Sequence, residues 1–197
     1  GKKSNDKKLL TEAYLNRGVV FMSQSLYQKA LDDILIANKY SNELNDPYIV
    51  NSNKYLIAQN KIYLGLYEEA NKELSSCIEY FKKNLNITSD LGKNYQMFYL
   101  YSLMSLIDTN TKLRRHKENN ILLKTAFEYI KQNNLKQYTP YFISSEGTEA
   151  FYNANYNLAI KKLSEAIRLY NDQWPHLNDI FYIGLSNWKL GKRDVAV

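Results

Sequence analysis

Apolar residues recur at steps of three and four along most of this chain, the spacing that places them on one face of an α-helix. The segments 9–23 and 27–42 show the pattern, and it returns in each later part of the sequence. Only seven Gly and three Pro interrupt it, which disfavours an all-β protein with its many tight turns. The pattern predicts helices throughout and no strand.

Small residues repeat with a fixed spacing inside this pattern. Four of them are each followed by an alanine twelve residues later, in the pairs Gly18–Ala30, Ala58–Ala70, Gly147–Ala159 and Gly184–Ala196. Another small residue lies seven positions after each of the first three alanines, at Ala37, Cys77 and Ala166. Small residues twelve apart let two antiparallel helices cross closely, so each repeat is predicted to be a helical hairpin.

A helical hairpin of this kind cannot bury both of its faces alone, so the repeats must stack. We therefore predict an all-α protein, a right-handed α-solenoid of about five stacked antiparallel helix pairs with the last one incomplete. A flexible basic N-terminus, 1–8, precedes a single repeat domain, 9–197. The predicted pairs are 9–43, 47–84, 89–133, 138–171 and 175–197.

Prolines and their neighbours mark the predicted helix starts. Pro47, Pro140 and Pro175 all stand where the first helix of a pair begins, a position that tolerates the missing N–H group. Asp46 and Thr139 directly precede two of them as candidate N-caps. The third pair fits least well: Asn119 replaces the expected alanine, and its connection, TNTKLRRHK, is predicted to be longer than the others.

Several passages resemble a known family. GVVF-(x)5-YQKAL, LGLYEEA and NYNLAIKKLSEAI resemble tetratricopeptide repeats, and together with the spacing they cover nearly the whole chain from about residue 9. IYLGLYEEA, SSEGTEAFYNANYNLAI and YIGLSNWKLGKRDVAV resemble the N-terminal repeat region of bacterial regulators that carry an AraC-type helix-turn-helix. The resemblance implies a cytoplasmic sensor or interaction region of a transcription regulator, with a DNA-binding domain following it.

Charge and composition add little to this prediction. The formal net charge is +6, but a chain rich in Asn, Lys and Tyr is typical of an AT-rich genome, so we interpret the charge as solvated helix faces. A single cysteine excludes an internal disulfide framework. No stretch approaches 18 consecutive apolar residues, so no membrane contact is expected.

Catalytic chemistry is not expected. The two histidines, His116 and His176, have no partner at a metal-binding or catalytic spacing, and Cys77 falls at a close-packed helix position. The sequence has neither a P-loop nor a GxGxxG motif. We therefore predict that the protein is not an enzyme and needs neither a cofactor nor a metal.

The concave face of a helical solenoid, lined by the first helix of each pair, is the expected binding surface. Offsets from the small crossing residues predict a protein- or peptide-binding groove without Lys or Arg. Its residues are Asn16, Val19, Ser23, Tyr55, Gln59, Tyr63, Ser145, Thr148, Tyr152 and Tyr182. Such side chains can hydrogen-bond a peptide backbone and also supply apolar contact area.

Two other functions stay open at this point. A freestanding scaffold or adaptor for complex assembly has the same features and no link to DNA. The basic run 112–117 could contact phosphates, although a solvated turn explains it as well, and no direct nucleic-acid contact is predicted. The fifth pair stops early, so we expect the native chain to continue beyond Val197, and an uncapped end could also bring two copies together.

Overall fold

The computed structural model describes the backbone of residues 2–87, 90–170 and 176–192, and the side chains of nearly all of them. This part of the chain is helical throughout and contains no strand. Its helices are α1 (Lys2–Ser23), α2 (Tyr27–Glu43), α3 (Pro47–Tyr63), α4 (Tyr67–Lys83), α5 (Asp90–Lys112), α6 (His116–Gln132), the 3-10 helix Lys136–Tyr138, α7 (Thr139–Tyr152), α8 (Tyr156–Leu169) and α9 (Leu177–Lys189).

The chain divides into two compact units, Gly1–Thr109 and Asn110–Val197. In the first unit α1 packs against α2, α2 against α3, and α3 against α4. In the second unit α6 to α9 do the same, and α7 also contacts α9. The predicted all-α class, built from consecutive packed helices, is confirmed, whereas a single domain spanning both units stays a prediction.

The small residues lie where the helices of a pair cross. Ala30, Ala70 and Ala159 are completely buried. A Cβ atom added to Gly18 would lie 2.7 Å from Cγ1 of Ile34 on the second helix of the pair. At Gly147 the same atom would lie 2.6 Å from Cγ of Leu163. The twelve-residue spacing therefore predicted the two close helix crossings correctly.

One turn geometry recurs at the end of α1, α3, α5, α7 and α9. The middle residue of each turn has a positive φ, and the next N–H group donates to the carbonyl five residues earlier, as in Schellman caps. In the turn after α3, for example, Gly65 has φ +78° and the N–H of Leu66 donates to Lys61 at 2.8 Å. The positive-φ residues of these five turns are Ser25, Gly65, Arg114, Ala154 and Gly191, and Asn45 and Asn134 have a positive φ after α2 and α6. Because only two of them are glycine, the regularity was hard to recognise in the sequence.

Several predicted boundaries need correction. Helix α5 continues to Lys112, so the third connection has three residues, 113–115, and is no longer than the others. Thr139 is the first residue of α7 and not its N-cap, because a 3-10 helix leads directly into α7. The Asp46 cap is confirmed, since its carboxylate accepts from the N–H of Ile49 at 3.1 Å.

The remaining boundary differences are at the ends of the chain. Helix α1 begins at Lys2 and not near residue 9. At the other end, α9 forms the first helix predicted for the fifth pair. Pro175 and the crossing position Ala196 lie outside the described residues.

Candidate functional site

The predicted groove residues of α1 lie on its exposed side. Asn16, Val19 and Ser23 are all exposed, and the Ser23 hydroxyl donates to the carbonyl of Val20 on its own helix. Leu15 and Met22 of the same helix pack on the core of the first unit. Asn16, Val19 and Ser23 are therefore accessible and share one helix face.

Two predicted residues of α3 contact α5 within the first unit. Tyr55 is half-buried, and its ring centroid lies 5.6 Å from that of Phe98. Burial raises the pKa of Tyr55 to about 12. The side-chain amide of Gln59 donates to the Ser105 hydroxyl at 2.7 Å. Both side chains therefore have an internal role in holding α3 against α5.

Tyr63, one turn further along α3, is accessible. Its side chain is 58% exposed, and its ring stacks on that of Tyr27 with centroids 4.4 Å apart and planes 10° apart. Stacked, exposed aromatic rings provide flat apolar area for a ligand. The stack is therefore the accessible aromatic feature of this predicted surface in the first unit.

In the second unit, two predicted residues of α7 are buried. Ser145 is 9% exposed, and its hydroxyl donates to the carbonyl of Tyr141. Thr148 is 4% exposed. Both side chains lie among packed helices, so a ligand on the surface would have little access to them.

Tyr152 and Tyr182 both contact Lys112, a residue that the sequence pattern placed in a turn. The ammonium Nζ of Lys112 donates to the Tyr152 hydroxyl at 2.5 Å and to the Tyr182 hydroxyl at 3.1 Å. The two hydroxyls lie 3.1 Å apart. Lys112 also lies 4.6 Å from the Tyr152 ring centroid, within cation–π distance. We call Lys112, Tyr152 and Tyr182 the lysine–tyrosine site.

Two helix ends and the middle of a third helix form the lysine–tyrosine site within one unit. Lys112 is the last residue of α5, Tyr152 the last residue of α7, and Tyr182 lies in α9. Lys112 is exposed and Tyr152 is 39% exposed, whereas Tyr182 is 7% exposed. The site thus has an accessible side with a buried phenol beneath it.

Hydrogen bonding keeps this cation charged. Burial favours a lower pKa for Lys112, but the bonds to the Tyr152 and Tyr182 hydroxyls outweigh it and raise the pKa above its ordinary value. The pKa of Tyr182 is also raised, through burial and its bond to Tyr152. At neutral pH the site therefore presents an ammonium and the neutral phenol of Tyr182.

A buried carboxylate next to this site holds three segments together. Glu149 of α7 is 6% exposed. It accepts from the Thr111 hydroxyl at 2.6 Å and from the Asn119 amide at 2.8 Å, and it is bonded to His116 Nδ1. Burial alone would raise its pKa, but these hydrogen bonds outweigh burial and hold the pKa below its usual value. We call Glu149, Thr111, His116 and Asn119 the glutamate cluster.

The glutamate cluster fixes the position of Lys112. Thr111 immediately precedes Lys112, and its hydroxyl is held by Glu149 and by the Asn119 amide, which donates to it at 2.8 Å. The end of α5 is thereby tied to α6 and α7. The basic run predicted in this region is divided: Lys112 joins the tyrosines, His116 joins the carboxylate, and Arg114 stays exposed in the turn.

The basic run has the composition of a long turn, so the sequence pattern did not reveal Lys112 as a helix residue. A signal was present in the spacing, since Lys112 follows Ile107 by five residues and Ile107 precedes Asn119 by twelve. Tyr152 follows Gly147 by the same five residues. The expectation of a groove without Lys or Arg is therefore wrong at this position.

Two kinds of feature are missing from the described part of the chain. There, no group of three or more His, Cys, Asp or Glu is arranged to hold a metal ion. None of the described helices is both long and apolar enough to cross a membrane.

Comparison with known proteins supports the fold. No family model matches the chain, and no curated protein matches its sequence. Among solved structures, the chain is similar to BtubC (BKLC) from P. vanneervenii, with a TM-score of 0.65 and 14% identity. The match covers 91% of this chain and 72% of that one. At this identity the similarity concerns the helical fold alone.

Proposed function

We propose that this chain is a non-catalytic protein- or peptide-binding module, and that its ligand contacts the lysine–tyrosine site. The observation that carries the proposal is the meeting of Lys112, Tyr152 and Tyr182 from three helices, within 3.1 Å of one another. An ammonium and phenols provide hydrogen-bond donors and acceptors for a peptide, and the rings provide apolar area. Helical-repeat folds commonly present such surfaces to protein partners.

The surroundings of Cys77 and of the two histidines support a non-catalytic role. Burial raises the pKa of Cys77 to about 12, so its thiol stays protonated and unreactive at neutral pH. The His116 ring is engaged by Glu149 in the glutamate cluster. The other histidine, His176, stacks its ring on Tyr170.

The proposal can be tested by selecting peptides from a random displayed library on the intact chain. Enriched peptides are then synthesised, and their Kd values are measured by fluorescence anisotropy. Replacing both Tyr152 and Tyr182 by Ala should weaken binding at least tenfold, with the helical circular dichroism signal retained. The matched control is Tyr63→Ala, an exposed tyrosine of the other unit. Failure to enrich any peptide, or equal binding by both variants, would contradict the proposal.

We further propose that the module is the sensor region of a bacterial, cytoplasmic transcription regulator. The support is the resemblance of the passages at 62–70, 144–160 and 182–197 to regulators with an AraC-type helix-turn-helix. A freestanding scaffold or adaptor is the alternative. Reading the gene downstream of codon 197 separates the two, because an encoded helix-turn-helix supports the regulator and its absence supports the scaffold.

A further inference from the structure

A cavity of about 210 Å³ lies in the second unit, where α6, α7 and α8 meet. Its buried lining residues are Leu123, Glu149 and Ala150. Its exposed lining residues include three asparagines, Asn120, Asn153 and Asn155. The cavity shares no residue with the lysine–tyrosine site, so it is a separate place at which a ligand could bind.

The charged groups that line the cavity already have partners within the protein. The ammonium of Lys162 donates to the Glu146 carboxylate at 2.7 Å. The Glu149 carboxylate is hydrogen-bonded to the other three residues of the glutamate cluster, and it accepts from the Asn153 amide at 3.1 Å. A charged ligand would have to displace one of these partners, and leaving a partly buried charge unpaired is costly. The lining therefore favours a ligand without charge.

The asparagines at the exposed edge of the cavity offer uncharged donors and acceptors. The Asn155 side-chain oxygen accepts from the N–H of Leu158 at 3.4 Å, which leaves the amide N–H donors of Asn155 for a ligand. Asn153 donates its amide to Glu149, which leaves its oxygen as an acceptor. The exposed Asn120 amide supplies both kinds of group. A hydroxyl group also donates one hydrogen bond and accepts others, so neighbouring hydroxyls on one ligand match this edge.

Apolar side chains complete the lining. Leu158 is 40% exposed, whereas Leu123 and Ala150 are buried. Ligand sites commonly combine apolar walls with a few placed polar groups. At about 30 Å³ for each water molecule, the cavity has the volume of about seven waters. A single sugar ring has this size, with C–H groups on its faces and hydroxyls around its edge.

We propose that this cavity binds one neutral monosaccharide. Hydroxyls of the sugar bond to the side-chain amides of Asn120, Asn153 and Asn155, and a C–H face of the ring packs on Leu158. The ion pair between Lys162 and Glu146 stays intact beside the sugar. Sugar binding here is independent of the proposed peptide binding, because the two sites have no residue in common.

The test compares neutral sugars with charged analogues of the same ring. D-glucose, D-galactose and D-mannose are titrated into the intact chain, each beside its amino sugar and its uronic acid. Two-dimensional NMR of the asparagine side-chain amides follows binding, at a pH where the amine is protonated and the acid is ionised. We expect at least one neutral hexose to shift the signals of Asn120, Asn153 and Asn155. Its Kd should be about tenfold lower than those of its charged analogues, because these must disrupt an existing ion pair.

Two substitutions test whether the sugar lies in the cavity. Asn120→Ala removes one exposed amide and should weaken binding of that hexose about fivefold, the effect of one lost hydrogen bond. Leu158→Trp puts a larger side chain at a partly exposed position of the wall and should abolish binding. Asn178→Ala is the matched control, since Asn178 is an exposed asparagine of the same unit outside the cavity. Circular dichroism and the Tm check that each variant is folded.

Three results would overturn the sugar assignment. They are the absence of binding by all three neutral hexoses, equal or tighter binding of a charged analogue, and unchanged binding in a folded Asn120→Ala or Leu158→Trp variant. An equal loss in Asn178→Ala would likewise show that the effect does not come from the cavity. Binding that is weakened in both cavity variants and retained in the control supports the site.

Discussion

The two units differ in the side chains found where their helices cross. In the first unit the second helix of each pair crosses its partner at a buried alanine, Ala30 or Ala70. In the second unit α8 has Ala159 at this position, but α6 has the completely buried Asn119 there, three residues after its first residue. The alanines permit close apolar contact, whereas the Asn119 amide donates to Thr111 and Glu149.

The difference extends beyond the crossing residue. The first unit contains an aromatic cluster, in which the Phe81 ring lies 5.1 Å from Phe98 and 5.9 Å from Tyr95. Both units contain a buried carboxylate: Asp33 of the first unit is 5% exposed and pairs with Arg17, whereas Glu149 of the second unit is 6% exposed and is held by three side chains of the glutamate cluster. The free energy of apolar packing depends little on direction or on pH, whereas a buried charge is stable only when its hydrogen bonds are formed. The hydrogen bonds of Glu149 therefore fix the orientation of Lys112. Substitutions that remove one of these bonds should destabilise the second unit.

We expect the largest loss of stability at the close glycine crossing, which occurs once in each unit. Gly147→Leu forces a side chain into the space of Leu163, so we expect a loss of about 3 kcal/mol in the free energy of unfolding. Gly18→Leu should behave similarly in the first unit. Urea denaturation measures both. Lys161→Leu on the exposed side of α8 is the control. Lys162 is unsuitable as a control, because it pairs with Glu146 at 2.7 Å.

Removing the buried charge should affect stability next most strongly. Glu149→Gln should cost about 2 kcal/mol at pH 7, because hydrogen bonds to a charged group are stronger than neutral ones. Glu146→Gln, which removes a half-buried ion pair, should cost under about 1 kcal/mol. Chemical denaturation of both variants tests the prediction, and equal losses would show that the glutamate cluster adds no stability.

The pH dependence gives an independent measure of the same carboxylate. The pKa of Glu149 is lower in the folded chain than its ordinary value of about 4.3. Its contribution is therefore complete above that value and is lost as the pH falls through the folded pKa. Unfolding free energies measured from pH 7 down to pH 3 should fall less steeply in Glu149→Gln. Parallel curves would contradict this assignment.

Asn119→Ala tests the crossing position itself. The variant introduces the residue used in the first unit, yet we expect a loss of about 1 kcal/mol, because Glu149 and Thr111 each lose a hydrogen bond. Asn120→Ala, at an exposed neighbouring position, is the control. A double-mutant cycle with Glu149→Gln should give a non-zero coupling energy. Additive losses would show that the amide and the carboxylate act independently.

The smallest effect is expected at the exposed aromatic stack of the first unit. Tyr63→Ala removes the ring that lies on Tyr27 and should cost about 0.5 kcal/mol, the lower end for aromatic pairs. Tyr55→Ala should cost several times more, since Tyr55 is half-buried against Phe98. Thermal unfolding distinguishes the two. A larger loss at Tyr63 would show that the stack supports the helix pair.

Local patterns predicted the helices and their crossings because both depend on residues close in sequence. Gly18 and Ala30 lie twelve residues apart, and the hairpin that joins them requires only small side chains and a short turn. The pattern did not predict the turn after α5. Its positive-φ residue is Arg114, with φ +59°, and a non-glycine residue gives no obvious signal for this conformation. The pattern also assigned Thr139 to a cap, because a cap and the first helical residue can carry the same side chain.

For the predicted groove, the sequence selected positions on helices but did not show which side chains stay accessible. Tyr152 and Tyr182 were predicted from their offsets, and Ser145 and Thr148 by the same rule, yet the latter two are buried. The offset fixes a position on a helix. How deeply that position is covered depends on the neighbouring helices.

The sequence by itself determined the helical class, most helix boundaries and the two close crossings, because periodicity and residue size act locally. Only the tertiary structure decided that Lys112 meets Tyr152 and Tyr182, and that Glu149 holds Thr111 and Asn119. These contacts join residues up to 70 positions apart. Their formation depends on how the helices of the second unit pack and on the cost of leaving a buried charge without partners, and neither is encoded in the spacing of any single segment.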